Sequence, residues 1–209
     1  EESEINGQGP EITAEAIEEL FQKLDQLQAG DVLVLAGSIP NTLPEDIYER
    51  IMERLEEREI RIVVDATKDL LRNVLKYHPF LIKPNNHELG ELFGVTLTRE
   101  EDIIAYARKL QEMGAVNVLI SMAGDGALLL TEDGDVYRKT PPKGEVVNSV
   151  GAGDSMVAGF LTGYLNTNDY EKALQLGIAA GSASAFLFWL AEREDVVKFL
   201  QQPPEEYGL

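Results

Sequence analysis

Two hydrophobic rhythms alternate along the chain. Short β-branched or aliphatic runs stand at Val32-Leu33-Val34-Leu35, Ile60 to Val64, Phe80-Leu81-Ile82 and Val118-Leu119-Ile120, and each predicts a strand. Between them the apolar positions fall three and four apart. Ile17, Leu20, Phe21, Leu24 and Leu27 share one helical face; Ile47, Ile51, Met52 and Leu55 share another, as do Ile103, Ile104, Ala107 and Leu110. Strand runs without polar alternation imply a sheet covered on both faces. The expected fold is therefore α/β: a doubly wound, mostly parallel sheet flanked by helices, with ligands at the C-terminal strand ends.

Past residue 120 the rhythm changes. Ala127 to Thr131, then Glu132-Asp133-Gly134-Asp135, then Val136-Tyr137-Arg138 predicts a hairpin. Pro141 and Pro142 mark a loop, and Glu145-Val146-Val147 reads as a short strand feeding a glycine-rich turn. A long helical region is expected from about Ala152 to Leu200, broken near Asn166 to Asp169, where Asn168 or Asp169 suits an N-cap. No linker divides the chain and no fixed period repeats, so residues 1–209 are expected to form one domain. The uncharged run Ala173 to Ala191 holds Gln175, Gly177, Gly181, Ser182 and Ser184, which favours a buried small-residue helix over a bilayer span.

Charge narrows the chemistry. With 18 basic and 37 acidic side chains the net charge is −19, which argues against nucleic acid as a partner. The chain has no cysteine, so disulfides and thiolate metal sites are excluded and a reducing cytoplasm is the expected setting. No basic segment followed by an apolar stretch opens the sequence, so neither a secretory signal nor a membrane partner is expected. Any phosphate must then be held locally, by backbone amides, a few cations and a metal.

The segment suited to that task runs Asn148-Ser149-Val150-Gly151-Ala152-Gly153-Asp154-Ser155-Met156-Val157-Ala158-Gly159. Unpaired amides at a helix start, with the positive end of the helix dipole, attract anions. Glycines let a phosphoryl group approach the backbone. An aspartate beside them can take a proton from an attacking hydroxyl. On spacing alone, an aspartate that merely complements the helix dipole accounts for the pattern equally well.

The GAGD stretch, preceded by Asn-Ser-Val and followed by Ser-Met-Val-Ala-Gly-Phe, resembles the C-terminal signature of the ribokinase-like (PfkB) sugar kinases. Within that family the similarity points to the branch acting on fructose 1-phosphate, with tagatose 6-phosphate as the alternative acceptor. The resemblance implies Asp154 as catalytic base and Gly151, Ala152 and Gly153 as anion hole. Three further loops follow the family's order. Lys83-Pro84-Asn85-Asn86-His87-Glu88 resembles its Lys-Pro-Asn-x-x-Glu segment, implying that Lys83, Asn85 and Glu88 serve ATP, with Asn85 and Glu88 organising Mg²⁺ through water. His87 is read as a bystander, and a plain helix-start acid is the alternative for Glu88. Ser121-Met122-Ala123-Gly124-Asp125-Gly126 resembles the nucleotide loop, implying ATP contacts at Ser121, Gly124 and Gly126. Gly37-Ser38-Ile39-Pro40 resembles the sugar-side loop, implying substrate contacts at Gly37 and Ser38, and Gly181 falls on the helix expected to flank the adenine.

The same resemblance implies that the family's first strands, its β lid and its Gly-Gly-x-Gly sugar motif lie outside these 209 residues. Ile5-Asn6-Gly7-Gln8-Gly9-Pro10 then matches the segment that re-enters the core after the lid. The chain is expected to be the nucleotide-binding and catalytic-base portion of a sugar kinase, with ATP and Mg²⁺ as cofactors and a nucleotide and a sugar phosphate as partners. A homodimer is left open. A nucleotide-binding core without turnover, or a phosphate-binding module without ATP, are the competing readings. Two departures stand out. Thr67-Lys68 replaces the Gly or Ser more usual after the Asp65 strand. Phe186-Leu187-Phe188-Trp189-Leu190 is apolar where the family turns polar, and is expected to cover hydrophobic surface in a dimer or against the core, before an exposed Pro203-Pro204-Glu205-Glu206 tail.

Overall fold

The computed structural model describes residues 9–209, so Ile5 to Gln8 of the expected re-entry segment lie outside the described residues. Six strands form one sheet: β1 (Val32–Ala36), β2 (Arg61–Asp65), β3 (Leu81–Ile82), β4 (Asn117–Ser121), β5 (Ala127–Leu130) and β6 (Val136–Lys139). Their spatial order is their order in sequence. β1 to β4 run parallel, with Val34 opposite Val63, Val64 opposite Ile82, and Ile82 opposite Val118. The hairpin adds β5 and β6 antiparallel.

Helices cover both faces, which is why the strand runs lack polar alternation. Ile62, Val64, Ile82, Val118 and Ile120 point into a core built with α1 (Ala14–Leu24), α2 (Ile47–Leu55), α3 (Lys68–Val74), α4 (Asn86–Phe93) and α5 (Glu100–Glu112). Their neighbours Val63, Leu81, Leu119, Ala127 and Leu129 point the other way, onto α6 (Ala152–Thr167) and α7 (Tyr170–Ala185). The crossover helices thus share one face and the last two long helices close the other. Cover on that second side thins at the edge, where Val34 of β1 is 42% exposed.

α6 and α7 form the expected broken helical region. Asn168 ends α6 in the left-handed conformation, and the Asp169 side chain caps α7 by accepting from the amides of Glu171 and Lys172. The pair packs backbone to backbone: a Cβ on Gly159 would stand 2.7 Å from the Leu176 carbonyl oxygen. α7 carries the small-residue run as a largely buried helix, and among the described residues no helix is long and apolar enough to cross a membrane.

Three expectations need correction. Glu145-Val146-Val147 is not a strand; it is irregular, with Val146 and Val147 exposed, and the amides of Val147 and Asn148 donate to the Ala185 carbonyl at 2.8 and 3.1 Å. The exposed carbonyl at the end of α7 takes the donors that a neighbouring strand would otherwise take. The helical region does not run on to Leu200; it stops at Ala185 and resumes only as α8 (Arg193–Val197). The apolar run between them does not pack onto the core. Phe186 turns inward against Phe199, with ring centroids 5.6 Å apart, but Phe188, Trp189 and Leu190 are 77%, 85% and 63% exposed. The tail is exposed at Glu205 and Glu206 as expected, yet Tyr207 beyond it is fully buried and fastens the chain end to α6 through Asn166.

Candidate active site

Four loops that the sequence singled out leave the sheet or enter α6 at one end, the C-terminal end of the parallel strands. β3 leads directly into Lys83, a side chain only 9% exposed. A buried ammonium needs a partner, and Lys83 Nζ lies 3.2 Å from an Asp65 carboxylate oxygen at the end of β2. The same ammonium stands against the start of α6: a Cβ on Gly153 would come within 3.0 Å of it. That contact explains a glycine at this position, since the cation occupies the space a side chain would take. Gly151 serves a different need. It is the N-cap of α6 with φ +80°, a left-handed conformation that disfavours any L side chain.

The first turn of α6 therefore stands directly above a buried cation, with the Ala152 amide donating back to the Ser149 carbonyl at 3.2 Å. Asp154 sits in that turn and is exposed, so its carboxylate is accessible to a ligand held there. Electrostatically it belongs to one cluster with Asp65, Lys83 and Glu88. Burial pushes the Asp65 carboxyl above its usual range, the Lys83 ammonium pulls it back, and the charges of Asp154 and Glu88 push it up again. Asp65 was not singled out from sequence. The available signal was an acid closing a buried aliphatic strand at the ligand-binding end of the sheet.

Asn85 and Glu88 are joined in a capping box at the start of α4. Asn85 Oδ1 accepts from the Glu88 amide and Glu88 Oε2 accepts from the Asn85 amide, each at 2.8 Å. This leaves the Asn85 side-chain NH₂ and the second Glu88 oxygen to face outward chemistry. The structure brings Asn85 beside Ser121 of the next loop, where the two form a parallel bridge and the Ser121 amide donates to the Pro84 carbonyl. In that loop Gly124 has open space around it, whereas a Cβ on Gly126 would overlap the Lys139 carbonyl, a demand of the β5–β6 hairpin. Gly181 lies against α6, where a Cβ would stand 3.0 Å from the Ala152 carbonyl oxygen.

On the other side, Gly37 has φ +83° and its amide donates to the Asp65 carbonyl at 3.1 Å, which sets the Gly37–Ser38 turn beside the end of β2. The Tyr48 hydroxyl donates to the Ala36 carbonyl at 2.9 Å and braces this turn; burial and the Asp65 charge raise its pKa. Both Gly37 and Ser38 are exposed.

A hydroxyl pair fixes the start of α6 from behind. Ser155 Oγ and Ser184 Oγ share a 2.8 Å hydrogen bond, and Ser184, 3% exposed, also accepts from the Ala191 amide at 3.0 Å. One buried oxygen thus ties together the first turn of α6, the end of α7 and the loop that follows. The chemistry gathers on an open shelf. A cavity of about 540 Å³, lined by Gly30, Arg61, His78, Phe80 and Val116, opens at the opposite end of the sheet and takes no part in it.

The profile of the pfkB family carbohydrate kinases matches residues 1–187. The 1-phosphofructokinase of Bacillus subtilis is 48% identical over 202 residues, covering 97% of this chain and 66% of that protein. The D-tagatose-1-phosphate kinase of Bacillus licheniformis is 37% identical over 186 residues, covering 88% and 61%. A crystal structure of Escherichia coli phosphofructokinase-2 in complex with substrates and products superposes with a TM-score of 0.86 at 27% identity, over 93% of this chain and 64% of that one. The chain thus spans slightly less than two thirds of the length of these relatives.

Proposed function

The chain belongs to the pfkB family of carbohydrate kinases, and from that premise we propose that it transfers the γ-phosphoryl group of ATP to a hydroxyl of a hexose phosphate. Fructose 1-phosphate is the favoured acceptor, giving fructose 1,6-bisphosphate. Asp154 takes the proton from the attacking hydroxyl, whose oxygen bonds to the γ-phosphorus as the bond to the ADP oxygen breaks. The amides of Gly151, Ala152 and Gly153 hold the charge of the transferring group. Lys83, kept beneath them by Asp65, adds a fixed positive charge where phosphate charge gathers.

The carrying observation is that convergence of a buried ammonium, a glycine helix start and an accessible aspartate. The Gly124 turn and the Asn85 side chain form the nucleotide side of the shelf, and Gly37 and Ser38 the acceptor side. Residues present fit Mg²⁺: Glu88 keeps one oxygen outside its cap, and among the described residues no three metal-binding side chains converge into a cage. A cation of this kind takes few protein carboxylates and keeps water and phosphates as its other ligands. When bound, it would neutralise phosphate charge during transfer.

Two of the three relatives quoted above, the 1-phosphofructokinase and the D-tagatose-1-phosphate kinase, are named for ketoses phosphorylated at C1, which supports fructose 1-phosphate and adds tagatose 1-phosphate ahead of tagatose 6-phosphate. A second reading, a nucleotide-binding core without turnover, is favoured by the open shelf. ADP release with MgATP and each of fructose 1-phosphate, fructose 6-phosphate, tagatose 1-phosphate and tagatose 6-phosphate separates the two. Turnover with a C1 phosphate, cut on the order of 10²- to 10⁴-fold in Asp154→Ala with nucleotide affinity kept, is the expected result. Nucleotide binding with no release above that variant would leave only the core reading.

A further inference from the structure

We propose that the cavity between the first turns of α7, the end of β6 and the stretch after α8 binds a small ligand through a phosphate group. It measures about 380 Å³, and Lys139, Lys172, Gln175, Gln201 and Gln202 border it. It is separate from the shelf at Gly151. α7 meets α6 along Ala173, Gly177 and Gly181, and Gln175 falls on the opposite side of that helix. Gln175 is only 9% exposed, yet its side-chain amide has no hydrogen-bond partner among the described residues. Buried amides are seldom left so, because the unmade bonds cost stability. The cavity that Gln175 borders is where a partner would come from.

Two ammonium groups border the same space. Lys139 Nζ lies 2.5 Å from a Glu171 carboxylate oxygen, and Lys172 Nζ 2.9 Å from one of Glu206. In each pair the cation sits deeper than its partner: the lysine side chains are 24% and 27% exposed, the glutamates 53% and 55%. Ion pairs with so exposed an acid hold weakly. A dianion entering from solvent can therefore take both ammoniums while the two glutamates turn back into water. Asp169, the other acid at the cavity, is already engaged, its Oδ1 accepting the amides of Glu171 and Lys172. A phosphate monoester carries close to two charges and three acceptor oxygens. Two ammoniums and the Gln175 NH₂ match that count, and Gln201 and Gln202 at the mouth suit a polar remainder. On a chain of charge −19 an anion is drawn only where cations gather. The inference does not depend on the phosphoryl-transfer reading, and its test needs no turnover.

The probe is inorganic phosphate, titrated at constant ionic strength into the 209-residue chain labelled with ¹³C at lysine. The CεH₂ signals of Lys139 and Lys172, assigned with Lys139→Gln and Lys172→Gln, should move together and saturate with a Kd of about 1 mM or below. Lys83 reports the shelf in the same spectra, so the two sites are read separately. Gln175→Leu, with unchanged circular dichroism, should weaken phosphate at Lys139 and Lys172 about tenfold and leave the Lys83 response as it was. Its urea midpoint should equal or exceed that of the parent, because the amide removed makes no bond within the chain. Glycerol 3-phosphate separates the two sources of the group: tighter binding than phosphate gives the cavity to an ester, weaker binding to the free ion.

Lys139 and Lys172 signals that stay still, or that move no further than those of the exposed Lys198, would overturn the proposal. So would an equal response to succinate, which would make the cavity a site for carboxylates. A Gln175→Leu chain that binds phosphate as tightly as the parent, or that loses much of its stability, would overturn it too, since the amide would then serve the fold and not a ligand.

Discussion

Removing the ammonium of Lys83 would strand a carboxylate. Asp65 is mostly buried and already held above its usual pKa range by desolvation, with Lys83 the main force in the other direction. Lys83→Met keeps the volume and removes that force. Breaking a buried pair in this way costs about 3 kcal/mol or more near neutral pH. The sign with pH is fixed by linkage. A carboxyl whose folded pKa is raised binds its proton more tightly in the folded state, so stability is highest below the unfolded value and falls as pH rises through the folded one. The loss in Lys83→Met should therefore shrink as pH is lowered toward 4 to 5, which urea unfolding at pH 7 and pH 5 would reveal. A loss equal at both pH values would show that Asp65 does not depend on Lys83.

At the level of elements, α6 and α7 show how packing overrides propensity. Alanine is favoured over glycine inside a helix by about 1 kcal/mol. At Gly159, however, a methyl group would meet the Leu176 carbonyl oxygen at 2.7 Å and the Ala180 Cβ at 2.8 Å, neither of which can swing aside. Overpacking of that kind costs about 1 to 3 kcal/mol, so after the propensity gain Gly159→Ala should lose a net of about 0 to 2 kcal/mol of stability, seen as a lower urea midpoint. A variant more stable than the parent would mean that the two helices can separate. Strands β2 to β5 were legible because they are largely buried on both faces, and the capped start of α7 because Asp169 announces itself chemically. Glu145 to Val147 misled because β-branched residues favour a strand only where a partner edge exists, and the donors here go to Ala185 instead. Asp65 and the Ser155–Ser184 bond were illegible for a related reason: each takes its meaning from residues distant in sequence, 18 positions away for Asp65 and Lys83 and 29 for the two serines. The glycine helix start at Gly151, with Asp154 in its first turn, depends on local backbone alone and could be read directly.

Across the whole molecule, stability should grade along the sheet. β4 lies between β3 and β5 with Val118, Leu119 and Ile120 fully buried, whereas β1 pairs only with β2 among the described residues and exposes Val34. Amide exchange in β4 and β5 should need near-global opening, while β1 amides exchange through smaller fluctuations, at least tenfold faster. Equal protection in β1 and β4 would show that the edge is covered by another part of the protein or by a neighbour. The spatial order β1 to β6 also repeats the order of synthesis. Each strand from β2 to β6 leaves the ribosome with its partner already in place, and α6 and α7 are laid down only after all six. No nascent chain of this sequence holds both Lys83 and the glycine helix start until synthesis has reached α6, so the meeting of the two comes only after β1 to β6 have been made.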